Sequence, residues 1–395
     1  MNDSLAGEGL RVLGVASGPV GTPEESALAG LTFQGFLGLA DPPAAGVKET
    51  IARLHAAGLR TVMVTGDQRL TAEAIGRQLG LLREDVRVVE GRELDTFNAE
   101  QLREAAAKAA VFSRITPEHK LRIVEALQAQ GEIVAMLGDG VNDAPALRKA
   151  DVGVAIGTRG TDAAKRAAAI VLRDDRFETI AAAVEEGRVV FDNIRKFVLY
   201  LFSCNVAEVL VLLAAGVAGL PLPLWPLQLL WLNMITDTFP ALALAMEPAE
   251  SNVMMRPPRR PDEAILSRDF LLRIFLYGAL ITSATMAAFL WALATNAAHA
   301  TTMAFMTLAL AQILHLGNTR RAHAVLDRRG ATSNPYALGA IVLSTTLQVA
   351  TMYIEPLPRL LRVMPLEARE WMVVGCCALI PAVVGQALKI WRPQL

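Results

Sequence analysis

The chain has 395 residues, a formal net charge of −1, 19% charged and 53% hydrophobic residues, and a positive mean hydropathy. Balanced charge leaves no basic footprint for nucleic acid, and the charged fraction is below the roughly 25% usual for soluble domains. The deficit is confined to one half: residues 1–196 carry an ordinary mixture, whereas 197–395 hold long apolar runs, which predicts a soluble half followed by a membrane half.

The N-terminus, MNDSLAGEGLR, has no apolar core and does not read as a signal peptide. From about 31 to 180, short apolar runs alternate with amphipathic, Ala-rich stretches. RTVMVTGD predicts a buried strand ending in a polar turn, and RLTAEAIGRQLGL a helix after it. DVRVVEG and AAVFSRI predict strands, EHKLRIVEALQAQG a helix, EIVAMLGDG a strand, DAPALRKA a helix, and DVGVAIG and AAIVL strands. Strands alternating with helices predict a parallel sheet covered on both faces. Ligands gather at the carboxyl ends of such strands, where TGD (65–67) and GDGVND (138–143) fall.

Those clusters suit phosphoryl transfer, which depends on positioning and charge compensation. The Thr65 hydroxyl and the Gly66 backbone N–H can donate to phosphoryl oxygens, Lys120 can offset developing negative charge, and Asp139 and Asp143 flank Asn142 and can hold Mg²⁺. TGD alone also fits a capped turn. GDGVNDAPAL is more specific, because it combines two carboxylates, an amide and two glycines in six residues.

In the second half, six segments near 197–219, 224–246, 270–294, 301–318, 335–354 and 371–391 approach the roughly 20 apolar residues that cross a bilayer. Basic residues collect on alternate connections: Arg188, Arg195 and Lys196; Arg256, Arg259, Arg260 and Arg268; Arg320, Arg321, Arg328 and Arg329; Lys389 and Arg392. The positive-inside rule then places both termini and residues 1–196 in the cytoplasm. The 355–370 connection, with Arg359, Arg362 and Arg369, fits less well. Cys204, Cys376 and Cys377 lie in apolar segments without metal-ligand spacing and read as buried thiols.

Two of the six segments contain groups that lipid does not tolerate. SCNVAEVL places Asn205 and Glu208 three apart, and LNMITDTFPAL holds Asn233, Thr236 and Asp237 within four positions. These spacings share a helix face, and a carboxylate at mid-membrane needs a partner or a cavity. Such oxygens suit hard cations such as Ca²⁺; a hydrogen-bonded packing cluster is the plainer reading. Pro240 removes a backbone hydrogen bond just past Asp237, which would free carbonyls as further ligands. Gln312 serves equally as an ion ligand or as interhelical glue, and His315 reads more readily as glue.

At DPP (41–43), TGD (65–67), VFSRITPEHK (111–120), MLGDGVNDAPAL (136–147), DNIRKF (192–197), LWLNMITDTFPALAL and RPPRRP, the sequence resembles P-type cation-transporting ATPases of the calcium-pump-like subgroup. The resemblance implies an incomplete α/β haloacid-dehalogenase-like phosphorylation domain at 31–190. The end of a nucleotide-binding domain would precede it at 1–30, and an all-α membrane domain of six transmembrane helices would follow at 191–395. It implies ATP and Mg²⁺ as cofactors, with Arg11 and Arg114 on the nucleotide. Thr65, Gly66 and Asp67 would line the phosphorylation site, Lys120 would reach the transferred phosphate, and Asp139 would hold Mg²⁺ with Asn142 and Asp143 in support. Asn205, Glu208, Asn233, Thr236, Asp237 and Gln312 would meet the transported ion, expected to be Ca²⁺ and, after it, Mn²⁺.

The family's phosphorylated aspartate sits in a DKTGT motif, which these residues do not contain. The resemblance therefore implies that the actuator domain, four membrane helices and the strand bearing that aspartate lie outside them, and that the chain alone is incompetent. A parallel sheet without a central strand would expose two unpaired edges. The expected partners are the lipid bilayer of a bacterial-type plasma membrane, the cation, and a separately encoded N-terminal pump half; no nucleic acid is expected. The alternatives are a non-catalytic membrane protein that binds cations or a partner subunit, and a membrane-anchored phosphatase using Asp41.

Overall fold

The computed structural model describes residues 1–18, 30–40, 42–82, 87–260, 263–321 and 332–391. Asp41, Arg328, Arg329 and Arg392 lie outside the described residues. The chain divides into two compact units, Met1–Glu185 with Ser251–Asp262, and Glu186–Glu250 with Glu263–Leu395.

In the first unit, helix α1 (Asn2–Gly7) precedes an antiparallel ribbon of β1 (Arg11–Ser17) and β2 (Thr32–Leu39). Then come α2 (Val47–Ala56), β3 (Met63–Val64), α3 (Arg69–Gln78), β4 (Arg87–Glu90), α4 (Gly91–Thr96), α5 (Ala99–Lys108) and β5 (Ala109–Ser113). The unit continues with α6 (Pro117–Gln128), β6 (Ala135–Gly138), α7 (Ala144–Lys149), β7 (Val152–Ile156), α8 (Asp162–Ala167) and β8 (Ile170–Leu172).

Local chemistry sets the helix starts. The Asn98 side chain accepts the N–H groups of Glu100 and Gln101 at the head of α5, and Thr116 caps α6 with Pro117 following. These groups satisfy donors that no intrahelical carbonyl reaches. The core forms around β5: Val111 and Phe112 are fully buried, as are Val89 of β4 and Ala106 of α5.

The strands and helices expected between 60 and 172 all form, and their pairing is parallel. The expected single sheet, however, is two three-stranded pieces, ordered β3–β5–β4 and β6–β7–β8. Alternating strands and helices specify the element types but not which strands become neighbours. Among the described residues β3 pairs only with β5, and β6 only with β7.

The second unit is helical. Helix α9 (Glu178–Val217) begins among residues counted with the first unit. It is followed by α10 (Pro226–Leu232), a π-helical segment Asn233–Asp237 and α11 (Thr238–Ala245). The remaining helices are α12 (Arg268–Thr295), α13 (Ala300–Thr319), α14 (Pro335–Ala350), α15 (Leu357–Leu361) and α16 (Ala368–Trp391). Helix α13 is the core element: Ala304, Phe305, Leu308 and Ala309 are fully buried, and α12, α14 and α16 pack on it.

Among the described residues, four helices are long and apolar enough to cross a membrane: Glu178–Val217, Arg268–Thr295, Ala297–Thr319 and Ala368–Trp391. Six were expected. The segment near 224–246 is helical but is interrupted by the π turn ahead of Pro240, and α14 has only 16 residues before the chain turns at Thr351. The three cysteines are not all buried: Cys204 is, but Cys376 is exposed on the outer face of α16.

Strand position sets the expected hydrogen-exchange pattern. The amides of β5 and β7, flanked on both sides, should exchange more slowly than those of β3 and β6. Uniform protection across each group of three would contradict this arrangement.

Candidate functional site

Two polar clusters stand out, one in each unit. In the first unit, β3 is followed by Thr65, whose N–H donates to the Phe112 carbonyl at 2.9 Å. The Thr65 hydroxyl donates to Asp67 Oδ2 (2.8 Å) and accepts the Asp67 N–H (3.1 Å). The turn is clamped from β5: the Arg114 N–H donates to the Asp67 carbonyl (2.9 Å) and the Ile115 N–H to the Thr65 carbonyl (3.1 Å). Gly66 faces open space, with no atom within 4 Å of where a Cβ would stand. The TGD segment is thus a rigid turn whose outer backbone remains accessible.

The second half of this cluster is organised by Asp143. Its Oδ2 accepts the N–H groups of Asp139 (3.2 Å) and Gly140 (3.1 Å), and its Oδ1 accepts Lys120 Nζ at 2.5 Å. Asp143 is buried, so its charge needs these partners. Gly138 allows the approach, because a Cβ there would lie 2.6 Å from that of Asp143. Asp139 and Asn142 are exposed at the carboxyl end of β6. Neither side chain is held by a hydrogen bond or ion pair among the described residues.

The structure therefore brings Thr65, Gly66 and Asp67 together with the main chain of Arg114, and Lys120 with Asp143 and the Asp139–Gly140 turn. The stretch from Arg114 to Lys120 joins the two sets along the chain. The Arg114 side chain instead pairs with Glu90 at 3.2 Å, a partner the sequence reading missed. Arg11 stands exposed on β1, and no hydrogen bond or ion pair joins it to the cluster. As for Mg²⁺, an exposed Asp139 carboxylate, with the exposed Asn142 amide three residues on, fits a cation that usually takes one or two carboxylates and keeps its remaining positions for water and phosphate. Asp143 is committed to Lys120 and the turn, so it shapes that site from behind.

In the second unit, the expected oxygen groups meet across α9, the π segment and α13. Glu208 accepts Asn233 Nδ2 on one oxygen (3.1 Å) and Gln312 Nε2 on the other (3.0 Å). Gln312 Oε1 accepts the Thr236 hydroxyl at 3.1 Å, so this amide bridges α9 to the π segment. Asp237 Oδ2 accepts Asn205 Nδ2 at 3.4 Å, while its buried Oδ1 has no hydrogen-bond partner among the described residues. Asp237 and Thr238 border a cavity of about 550 Å³ whose other walls include Phe197, Leu201 and Leu242.

The widened turn has a visible cause. Pro240 has no N–H, so carbonyls one turn earlier lose a donor. Hydroxyls from other helices replace it: Tyr200 donates to the Thr236 carbonyl at 2.7 Å and Ser344 to the Ile235 carbonyl at 3.1 Å. Pro240 signals that donors are needed, but the sequence does not say which hydroxyls supply them. His315 stays outside the oxygen cluster, packed against the rings of Tyr200 (6.0 Å) and Tyr277 (4.6 Å).

Comparison with known proteins finds similarity along most of the chain. A family model described as "Cation transporting ATPase, C-terminus" matches residues 221–391, and one described as "haloacid dehalogenase-like hydrolase" matches residues 13–151. The chain is 42% identical over 384 residues to a calcium-transporting ATPase of Bacillus subtilis (strain 168), covering 95% of this chain and 43% of that protein. It is 40% identical over 378 residues to calcium-transporting ATPase 1 of Bacillus cereus, covering 91% of this chain and 42% of that protein. The chain thus spans less than half the length of these relatives. Along nearly all of its length it is similar to the C-terminal portion of P-type cation-transporting ATPases.

Removing the Tyr200 hydroxyl should test the repair of the π turn. Tyr200→Phe leaves the Thr236 carbonyl short of a donor and should lower stability in detergent by about 1–3 kcal/mol. A thermal melt followed by circular dichroism reads the change, and an unshifted midpoint would count against this role.

Proposed function

We propose that the chain carries the phosphate-site and ion-site residues of an ATP-driven pump that moves Ca²⁺, with Mn²⁺ next, across a bacterial-type plasma membrane. The observation that carries this reading is the meeting of Glu208, Asn233, Thr236, Asp237, Asn205 and Gln312 around one interrupted helix. Ca²⁺ takes about six to eight oxygen ligands, and two carboxylates, three amides and a hydroxyl are gathered here from three elements. The names of the Bacillus relatives support Ca²⁺ as the first ion to test.

In this reading, six segments cross the membrane: the four long helices, the path from Pro226 through the π segment to Ala245, and α14. The basic residues on alternate connections support a cytoplasmic position for both termini. Substitutes for full-length crossings are tolerated where an interrupted helix lines a cavity and its backbone groups are bonded. The hydroxyls of Tyr200 and Ser344 meet that condition.

At the phosphate site, the Thr65 turn would offer a hydroxyl and the Gly66 N–H to the oxygens of the transferred group. Lys120, steadied by Asp143, would place positive charge beside them. Mg²⁺, held by Asp139 with Asn142, would supply charge neutralisation of the phosphoryl oxygens. Arg11 and Arg114 are assigned to the nucleotide, which requires the exposed Arg114 side chain to leave the half-buried Glu90. The aspartate that accepts phosphate would come from a strand supplied by an N-terminal half.

A second reading, a non-catalytic membrane protein that binds cations or a partner subunit, draws on the division of the expected sheet into two pieces. Phosphorylation separates the readings. The 395-residue chain alone should form no acid-stable, hydroxylamine-sensitive phosphoenzyme from ATP. Co-expressed with the N-terminal part of a relative such as the Bacillus subtilis ATPase, it should restore a Ca²⁺-dependent phosphoenzyme on that partner. Labelling of the chain alone would overturn the proposed division of labour, and failure of every complementing half would favour the second reading.

The ion site makes its own prediction. In the complemented pump, Glu208→Gln and Asp237→Asn should each raise the Ca²⁺ concentration for half-maximal phosphorylation at least about tenfold, equivalent to about 1.4 kcal/mol. Unchanged Ca²⁺ dependence in both variants would remove these carboxylates from the ion site.

A further inference from the structure

Away from both clusters, the start of α12 and the end of α16 form a small basic recess. A cavity of about 60 Å³ is lined by Leu272, Arg273, Leu276, Tyr277, Leu388 and Lys389. A water needs about 10–15 Å³ of such space, so the recess can admit a small polar group but not a whole lipid. Lys389 is buried and reaches the Arg321 carbonyl at 2.5 Å.

More positive charge lies at the same end of these helices. Arg195 stands over the Phe270 ring at 5.3 Å, one turn before Arg273 on α12. Lys196 pairs with Glu250 at 3.7 Å. Arg195 and Asp269 are within electrostatic reach of Arg273, and Lys196, Arg273 and Glu250 within reach of Lys389. Among these described residues, four basic groups stand with two acids, a balance that favours an anion in the recess.

Its rim is apolar and turned outward: Leu272 is 66% and Leu276 41% exposed. Both belong to a helix long and apolar enough to span the bilayer. A recess with a charged floor and an apolar, lipid-facing rim matches a molecule with an anionic head and hydrocarbon tails. Arg273 is near the start of α12 and Lys389 near the end of α16, which sets the floor at the depth of headgroups. Basic pockets between membrane helices bind acidic headgroups in this way, with the stems of Arg and Lys lying along apolar surface.

We propose that the recess between α12 and α16 is a binding site for an anionic phospholipid, its phosphate on Arg273 and Lys389 and its acyl chains over Leu272, Leu276 and Leu388. The site is separate from the proposed ion and phosphate sites and does not depend on their assignment.

Native mass spectrometry of the full chain, delipidated in detergent and offered phosphatidylglycerol or phosphatidylcholine, tests it. Phosphatidylglycerol should be retained at least about fivefold more, and Arg273→Gln with Lys389→Gln should reduce its retention to the phosphatidylcholine level. Millimolar inorganic phosphate should not displace it, because the tails contribute to binding. Equal retention of the two lipids, full retention by the double variant, or displacement by phosphate alone would overturn the proposal. Should the double variant fail to fold, a photoreactive phosphatidylglycerol offered to the unaltered chain still decides. Cross-links should fall within 268–277 or 385–391, and labelling confined to other segments would reject the site.

Discussion

A backbone carbonyl buried without a donor is costly wherever water is excluded, and Pro240 creates that problem inside the helical unit. The π turn at Asn233–Asp237 and the hydroxyls of Tyr200 and Ser344 are its solution. Each donor fixes a neighbour: Tyr200 ties α9 to the turn, and Ser344 ties α14 to it. The widened turn also sets the spacing of Asn233, Thr236 and Asp237, so that Asn233 and Thr236 engage Glu208 and Gln312 while Asp237 engages Asn205. A regular helix would give the three side chains a different relation to α9 and α13. One missing N–H thus governs the geometry of the whole oxygen cluster.

The soluble unit solves a similar problem with a buried charge. Asp143 is removed from water, and its stability rests on Lys120 and two backbone N–H groups of the preceding turn. That commitment leaves Asp139 and Asn142 as the accessible oxygen groups of the GDGVND segment. The division of labour follows from burial: the inner carboxylate orders the turn, and the outer one is available for chemistry. The clamp on TGD follows the same logic, because the N–H groups of Arg114 and Ile115 hold its carbonyls and leave its outer face open.

Much of this was legible in the residues. The period of apolar residues located β3 through β8, and the spacing of Asn205 and Glu208, and of Asn233 and Asp237, located the cluster in the helical unit. Pro240 indicated that the backbone would open near Asp237. Other features depend on neighbours that spacing does not encode. The donors to the opened carbonyls come from 36 and 109 positions away along the chain. Strand pairing is similarly non-local: β6 reads as a buried strand in sequence, yet it is paired on one side among the described residues. The six-span expectation treated apolar length as helix length. Pro240 and the turn after α14 break that equivalence.

The amides explain how one cluster could serve two kinds of partner. As arranged, Asn233 and Gln312 give N–H donors to Glu208, and Asn205 gives one to Asp237. An amide carries a carbonyl oxygen opposite those donors. Rotation about the last side-chain bond would therefore turn a donor to a carboxylate into an oxygen ligand for a cation beside it. Gln312 has the most to exchange, since its amide already donates to Glu208 while its oxygen accepts from Thr236. Its rotation would release the Thr236 hydroxyl and Glu208 together. In the proposed pump, cation entry would then be linked to α13 through a rearrangement of hydrogen bonds.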